Sequence, residues 1–186
     1  AEKALTWLKR HRAFTPDKPF FMYWAPGGGH GPHHVSAEWA DKYKGKFDDG
    51  WDALRERTFK KQKELGWIPA GTKLTPRAKN MAGWDSIPPA ERPFQTRLME
   101  VFAGFVEHTD AQVGKLVDGL EAMGLRENTI ILYVWGDNGS SAEGGLNGMF
   151  NEYTYFNGVP EQVSDMLAKI DQWGGPETYP HMAAGW

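Results

Sequence analysis

Apolar residues recur along this chain in two rhythms. Over residues 92–123 they fall every three or four positions: Phe94, Leu98, Val101, Phe105, Thr109, Val113, Leu116, Leu120 and Met123. That spacing predicts one long amphipathic helix. Pro93 suits its first turn and Gly124 its stop. Gly104 and Gly114 lower helix stability from within, so the pattern predicts close packing there. A second amphipathic helix is predicted over 160–173. It opens at Pro160, carries Val163, Met166, Leu167, Ile170 and Trp173, and stops at Gly174-Gly175-Pro176. Shorter helices are expected at 1–12, around Leu5 and Leu8, and from the N-cap Ser36 to Tyr43. A charged surface helix is expected over 49–65, with Trp51, Leu54 and Thr58 on one side.

The second rhythm is unbroken apolarity. PFFMYWAP at 19–26 and TIILYVW at 129–135 are rich in aromatic and β-branched residues and bounded by proline or glycine. Such runs predict strands buried on both faces. Residues 67–91 hold Pro69, Gly71, Pro76, Gly83, Pro88 and Pro89 and read as a long irregular excursion. The order helix, strand, helices, strand, helix predicts an α/β fold of three layers. In such folds ligands collect just past the carboxyl ends of strands.

Composition narrows the function classes. The chain has 186 residues, one domain's worth, with 40% hydrophobic and 24% charged residues and a net charge of −3. Lysines and arginines are scattered among acidic residues, which argues against a nucleic-acid partner. No apolar run approaches a membrane span. The absence of cysteine excludes disulfides and thiolate metal sites within these residues. The chain begins inside a helical pattern and ends on YPHMAAGW without a closing element, so residues 1–186 read as an internal segment truncated at both ends.

Both loops that follow the apolar runs carry chemistry. Gly27-Gly28-Gly29-His30-Gly31-Pro32-His33-His34 sets three imidazoles within five residues. Imidazole can ligate a metal, move a proton or donate a hydrogen bond to an anion; the same residues also suit a surface loop with incidental histidines. Gly136-Asp137-Asn138-Gly139-Ser140-Ser141 places a carboxylate beside a carboxamide. Those are hard oxygen ligands for calcium or magnesium, and Asp-Asn-Gly is equally an ordinary turn. Glu107-His108-Thr109-Asp110 lies mid-helix and is assigned no chemistry. The chain has no phosphate-cradling P-loop and no Gly-x-Ser-x-Gly elbow.

Taken together, PFFMYWAPGGGHGPHHVSAEWADKYKGKFDDGWDALRERTF and MEVFAGFVEHTDAQVGKLVDGLEAMGLRENTIILYVWGDNGSSAEGG resemble the arylsulfatase family of the alkaline phosphatase superfamily. The tail GGPETYPHMAAGW is similar to its bacterial members. The resemblance implies a three-layer sandwich with a central mixed sheet, of which this chain is part of the catalytic domain. It implies a calcium ion, magnesium in some relatives, with Asp137 and Asn138 among its ligands, and it maps the sulfate-contacting histidine onto His30. His33 and His34 lie beyond the matched position. The family's nucleophile is formylglycine, made in a Cys/Ser-x-Pro-x-Arg motif. Here Ser86-Ile87-Pro88-Pro89-Ala90 lacks the arginine, so the nucleophile is expected outside this segment.

The resemblance therefore implies a sulfuric ester hydrolase whose partner is a small sulfate ester. Three other readings share these residues: a phosphonate monoester or phosphodiester hydrolase of the same superfamily; a zinc site built from His30, His33, His34 and Asp137; and a non-catalytic protein that binds sulfated ligands. The sulfatase reading requires His30 and the side-chain oxygens of Asp137 and Asn138 to converge on one pocket.

Overall fold

The long stripe of apolar residues folds as one helix. The computed structural model describes residues 1–136 and 144–186. Its helices are α1 (Glu2–Phe14), α2 (Ala37–Ala40), α3 (Gly50–Glu64), α4 (Arg92–Ala122), α5 (Glu152–Phe156) and α6 (Val163–Leu167). Helical turns of the tighter 3-10 type follow α2 at Asp41–Tyr43 and α6 at Ile170–Gln172. The chain divides into two units, one of Ala1–Gly28 with Val106–Gly139 and the other of Gly29–Phe105 with Ser140–Trp186. Among the described residues no helix is long and apolar enough to cross a membrane.

No segment forms a strand among the described residues, so the three-layer α/β sandwich with a central mixed sheet is not observed. Both apolar runs lack regular secondary structure and a hydrogen-bonded neighbour strand. A strand exists only where a second one satisfies its backbone donors and acceptors, and hydrophobicity alone does not supply that partner. The side chains record the difference. Phe21 is 87% exposed and Tyr23 85%, while Ile130, Leu132 and Val134 stand at 89%, 83% and 86%. The expectation of burial on both faces is overturned with them.

In the larger unit, α4 supplies the centre of the core. Phe94, Leu98 and Val101 pack with Ala40, Val163, Met166, Trp173 and Ala183. Trp51, Trp84 and Ile87 form a second cluster, and Trp186 packs against both. The Trp186 indole nitrogen donates to the Gln95 carbonyl at 2.9 Å, which holds Trp186 against the core. A buried carboxylate ties α4 to the loop after α2. Glu100 accepts from the Gly45 amide at 2.9 Å and pairs with Arg97 at 2.9 Å, which also meets Asp41 at 2.9 Å. Burying Glu100 is tolerable because both its oxygens find donors.

The predicted 160–173 helix is shorter than its periodicity suggests. Gln162 is extended, and Lys169 (φ −117°, ψ 20°) interrupts the helix before the final turn. The periodicity still marks the buried face, since Val163, Met166 and Trp173 are all buried. Helix α5 escaped prediction because side chains create it. Asn151 accepts from the Tyr153 amide at 3.0 Å, and Glu161 takes the amides of Phe150 (2.5 Å) and Asn151 (2.9 Å) and the Thr154 hydroxyl (2.6 Å).

In the smaller unit α1 lies on the second half of α4. A side chain at Gly119 would overlap Leu5, and Leu8 is 1% exposed. Trp7 stacks on His11 with ring centres 5.3 Å apart, and Phe20 packs edge-on against both rings.

Gly104 and Gly114, the two α4 glycines at which close packing was expected, differ. A Cβ on Gly104 would sit 2.7 Å from the Ala40 nitrogen and the Trp39 carbonyl carbon, which are backbone atoms and have nowhere to go. Around Gly114 nothing lies within 4 Å, so the expected close packing holds at Gly104 alone. Gly104→Ala is expected to destabilise the protein by about 2 kcal/mol, whereas Gly114→Ala is expected to stabilise it by about 0.5–1 kcal/mol through helix propensity. Urea unfolding of both variants checks the sign as well as the size.

Candidate functional site

The histidine loop is built by glycines and held by the end of the chain. Gly29 has φ +90°, a conformation that side chains other than glycine's rarely adopt. Gly31 is buried, and a side chain there would overlap the His181 imidazole. From Pro32 onward the loop pairs with residues 174–180. The His33 amide donates to the Pro180 carbonyl at 2.9 Å and the Val35 amide to the Gly174 carbonyl at 3.0 Å. The His34 Nε2–H donates to the Thr178 carbonyl at 2.7 Å. Thr178 anchors the returning strand of chain: its hydroxyl donates to the Gly175 carbonyl at 2.8 Å and accepts from the Gly174 amide at 3.2 Å.

On its other side the 181–184 segment meets Gly144–Gly148. A Cβ on Gly144 would overlap that of His181 and approach the Met182 carbonyl at 2.7 Å. A Cβ on Gly148 would lie 2.7 Å from the Leu98 side chain and 2.9 Å from the His181 carbonyl. The Ala184 amide donates to the Gly145 carbonyl at 3.1 Å. Residues 174–184 are thus a clamp, with the histidine loop on one side and Gly144–Gly148 on the other.

The three loop histidines have separate environments. His30 is exposed, and its Nδ1–H donates to the Gly31 carbonyl at 2.6 Å. With the proton on Nδ1, Nε2 is an acceptor in the neutral ring and a second donor in the cation. His34 is exposed at the ring but tethered through Nε2. His33 is fully buried between Phe102 and Phe105, with ring centres 4.9 and 5.5 Å away, and lies 5.7 Å from His181. Both of its ring nitrogens are shut off from solvent. Burial lowers its pKa to about 4, helped by the neighbouring His181, opposed by a backbone hydrogen bond at Gly29, and helped less by His30 and His34. The His33 ring is therefore a neutral core group at pH 7.

Of the residues expected to form the site, the structure places His30 at the surface of the loop. Asp137 and Asn138 lie outside the described residues, so their convergence with His30 is not part of the described geometry. Among the described residues no group of three histidine or acidic side chains is arranged to hold a metal. What sequence reasoning missed is the clamp. The signal was present as a further histidine, in YPH, and as the Gly-Gly-Pro turn before it, but a contact between positions 31 and 181 has no local periodicity to announce it. The mid-helix Asp110 accepts from the Tyr133 hydroxyl at 3.3 Å.

A family model described as Sulfatase matches residues 1–171. An uncharacterized sulfatase of Schizosaccharomyces pombe is 33% identical over 147 residues, covering 78% of this chain and 26% of that protein. An arylsulfatase of Klebsiella aerogenes is 26% identical over 187 residues, covering 98% of this chain and 38% of that protein. The chain thus spans well under half the length of either relative.

His33 makes the stability of this unit depend on pH. Its folded pKa lies below the ordinary value of 6.5, so its burial is tolerated fully above pH 6.5 and opposes folding as pH falls toward 4. A shift of that size corresponds to about 3 kcal/mol at the acid end. Urea midpoints at pH 7 and pH 4.5 should show His33→Phe losing less stability on acidification than the parent. Equal losses would contradict the assignment.

Proposed function

Because this chain belongs to the sulfatase family, we propose that the protein containing it hydrolyses sulfate monoesters, with His30 contacting the sulfate group. The observation that carries this reading is the family match over residues 1–171, joined to an exposed His30 whose ring is held by its own loop. A sulfate ester breaks its S–O bond with negative charge spread over the sulfate oxygens and the leaving oxygen. A fixed donor aimed at those oxygens stabilises that charge more than it stabilises the bound ester. The Nδ1–H bond to Gly31 fixes the ring plane, and Nε2 is left as the ring atom for the sulfate, a donor when it carries a proton.

Asp137 and Asn138 are assigned to a calcium site, with magnesium as the close substitute. A carboxylate beside a carboxamide is a hard-oxygen donor pair that suits either ion and suits zinc poorly. A bound divalent ion would add charge stabilisation at the sulfate oxygens. The nucleophile is assigned to a formylglycine outside these residues. The chain has no cysteine, and Ala90 stands where the Ser86 motif would need arginine.

His30→Ala in the full-length protein is expected to lower kcat for 4-nitrophenyl sulfate by about 100- to 1,000-fold, with little change in thermal midpoint because the side chain is exposed. Chelation should abolish turnover, with calcium or magnesium restoring it and zinc failing to. Faster turnover of an aryl phosphodiester than of the aryl sulfate would shift the assignment to a phosphodiesterase, and unchanged kcat in the variant would remove His30 from the site.

A further inference from the structure

We propose that His181 is a positioning residue: its imidazole fills the place of the side chain that Gly31 lacks, and so fixes the backbone carbonyl that orients His30. The inference deepens the sulfatase reading and rests on His30 being the residue that meets the sulfate.

Two contacts in series carry it. The His30 ring is oriented by a 2.6 Å bond from Nδ1–H to the Gly31 carbonyl. That carbonyl belongs to a residue with no side chain, whose Cα is covered by the His181 ring so closely that a Cβ would overlap Cε1, Nε2 and Nδ1. The carbonyl that aims His30 is thus held in place by an imidazole distant in sequence and adjacent in space.

His181 is well placed for that duty because it is itself held. It is 1% exposed. Its ring stacks on Tyr179 with centres 5.2 Å apart and planes 27° apart, and the His33 ring lies 5.7 Å away. Gly144 leaves room behind its Cβ. The residues before it are pinned to the loop through Pro180 and Thr178. A flexible glycine-rich loop would sample many orientations of His30; a rigid ring against Gly31 selects one. Misplacing a group of this kind by about 1 Å lowers rate by about 100-fold, so the supporting contact has leverage although it touches no substrate.

A double-mutant cycle in the full-length protein tests the coupling. Gly31→Ala drives a methyl group into the His181 ring, and His181→Ala opens the space that this methyl needs. Each single change is expected to lower kcat for 4-nitrophenyl sulfate, Gly31→Ala by about 100-fold and His181→Ala by about 10-fold. The double variant is expected to be no worse than Gly31→Ala alone, because the two changes share one contact. His181→Gln, which keeps bulk against Gly31, should retain more activity than His181→Ala. The His30 Nδ1–H, followed by NMR, should give one hydrogen-bonded, slowly exchanging signal in the parent and a lost or broadened one in His181→Ala, a change that a merely structural His181 would not produce. Multiplying losses in the double variant, or an unaltered His30 spectrum in His181→Ala, would overturn the proposal. A parent without sulfatase turnover but with the altered His30 spectrum would instead remove the sulfatase reading and leave the positioning contact standing.

Discussion

The described site depends on one close approach, in which residues 174–184 come back against the histidine loop. Only glycine at position 31 lets the His181 ring lie where it does, and the loop's backbone then completes its hydrogen bonds with the carbonyls of Gly174 and Pro180. Each such bond contributes about 1 kcal/mol net, and leaving a buried amide unmet costs more than that. The loop's conformation therefore follows from a long-range contact and not from its own glycine-rich sequence, which by itself favours many conformations.

That contact sorts three histidines of one loop into different chemical roles. His33 points into the core between two phenylalanines and is neutral, while His34 spends its Nε2–H on the Thr178 carbonyl. His30 is left at the surface, oriented through Nδ1. Identical side chains one, three and four positions apart thus become a core group, a tether and a candidate anion contact, according to which way the backbone turns each one.

Much of the helical framework was legible in the sequence. The α4 stripe, the charged helix α3 and the buried face of the α6 region follow from spacing, because a helix satisfies its own backbone and needs only one apolar face. The two apolar runs show where that logic fails. Residues 19–26 and 129–135 have the composition of buried strands, yet Phe21, Tyr23, Ile130, Leu132 and Val134 are largely exposed and their backbones pair with no neighbouring strand among the described residues. Pairing is a property of two segments, and periodicity within one cannot report it. At the candidate site, the loop and the resemblance marked His30 as a candidate, and nothing marked the clamp, since nothing local links positions 31 and 181. The expected pairing of His30 with Asp137 and Asn138 concerns residues outside those described.

Residue-resolved amide hydrogen exchange addresses the clamp most directly. If residues 174–184 hold the histidine loop, the amides of His33, Val35 and Ala184 exchange slowly and together, far more slowly than amides of the exposed stretch 73–80. Exchange of His33 and Val35 at the rate of that exposed stretch would contradict it.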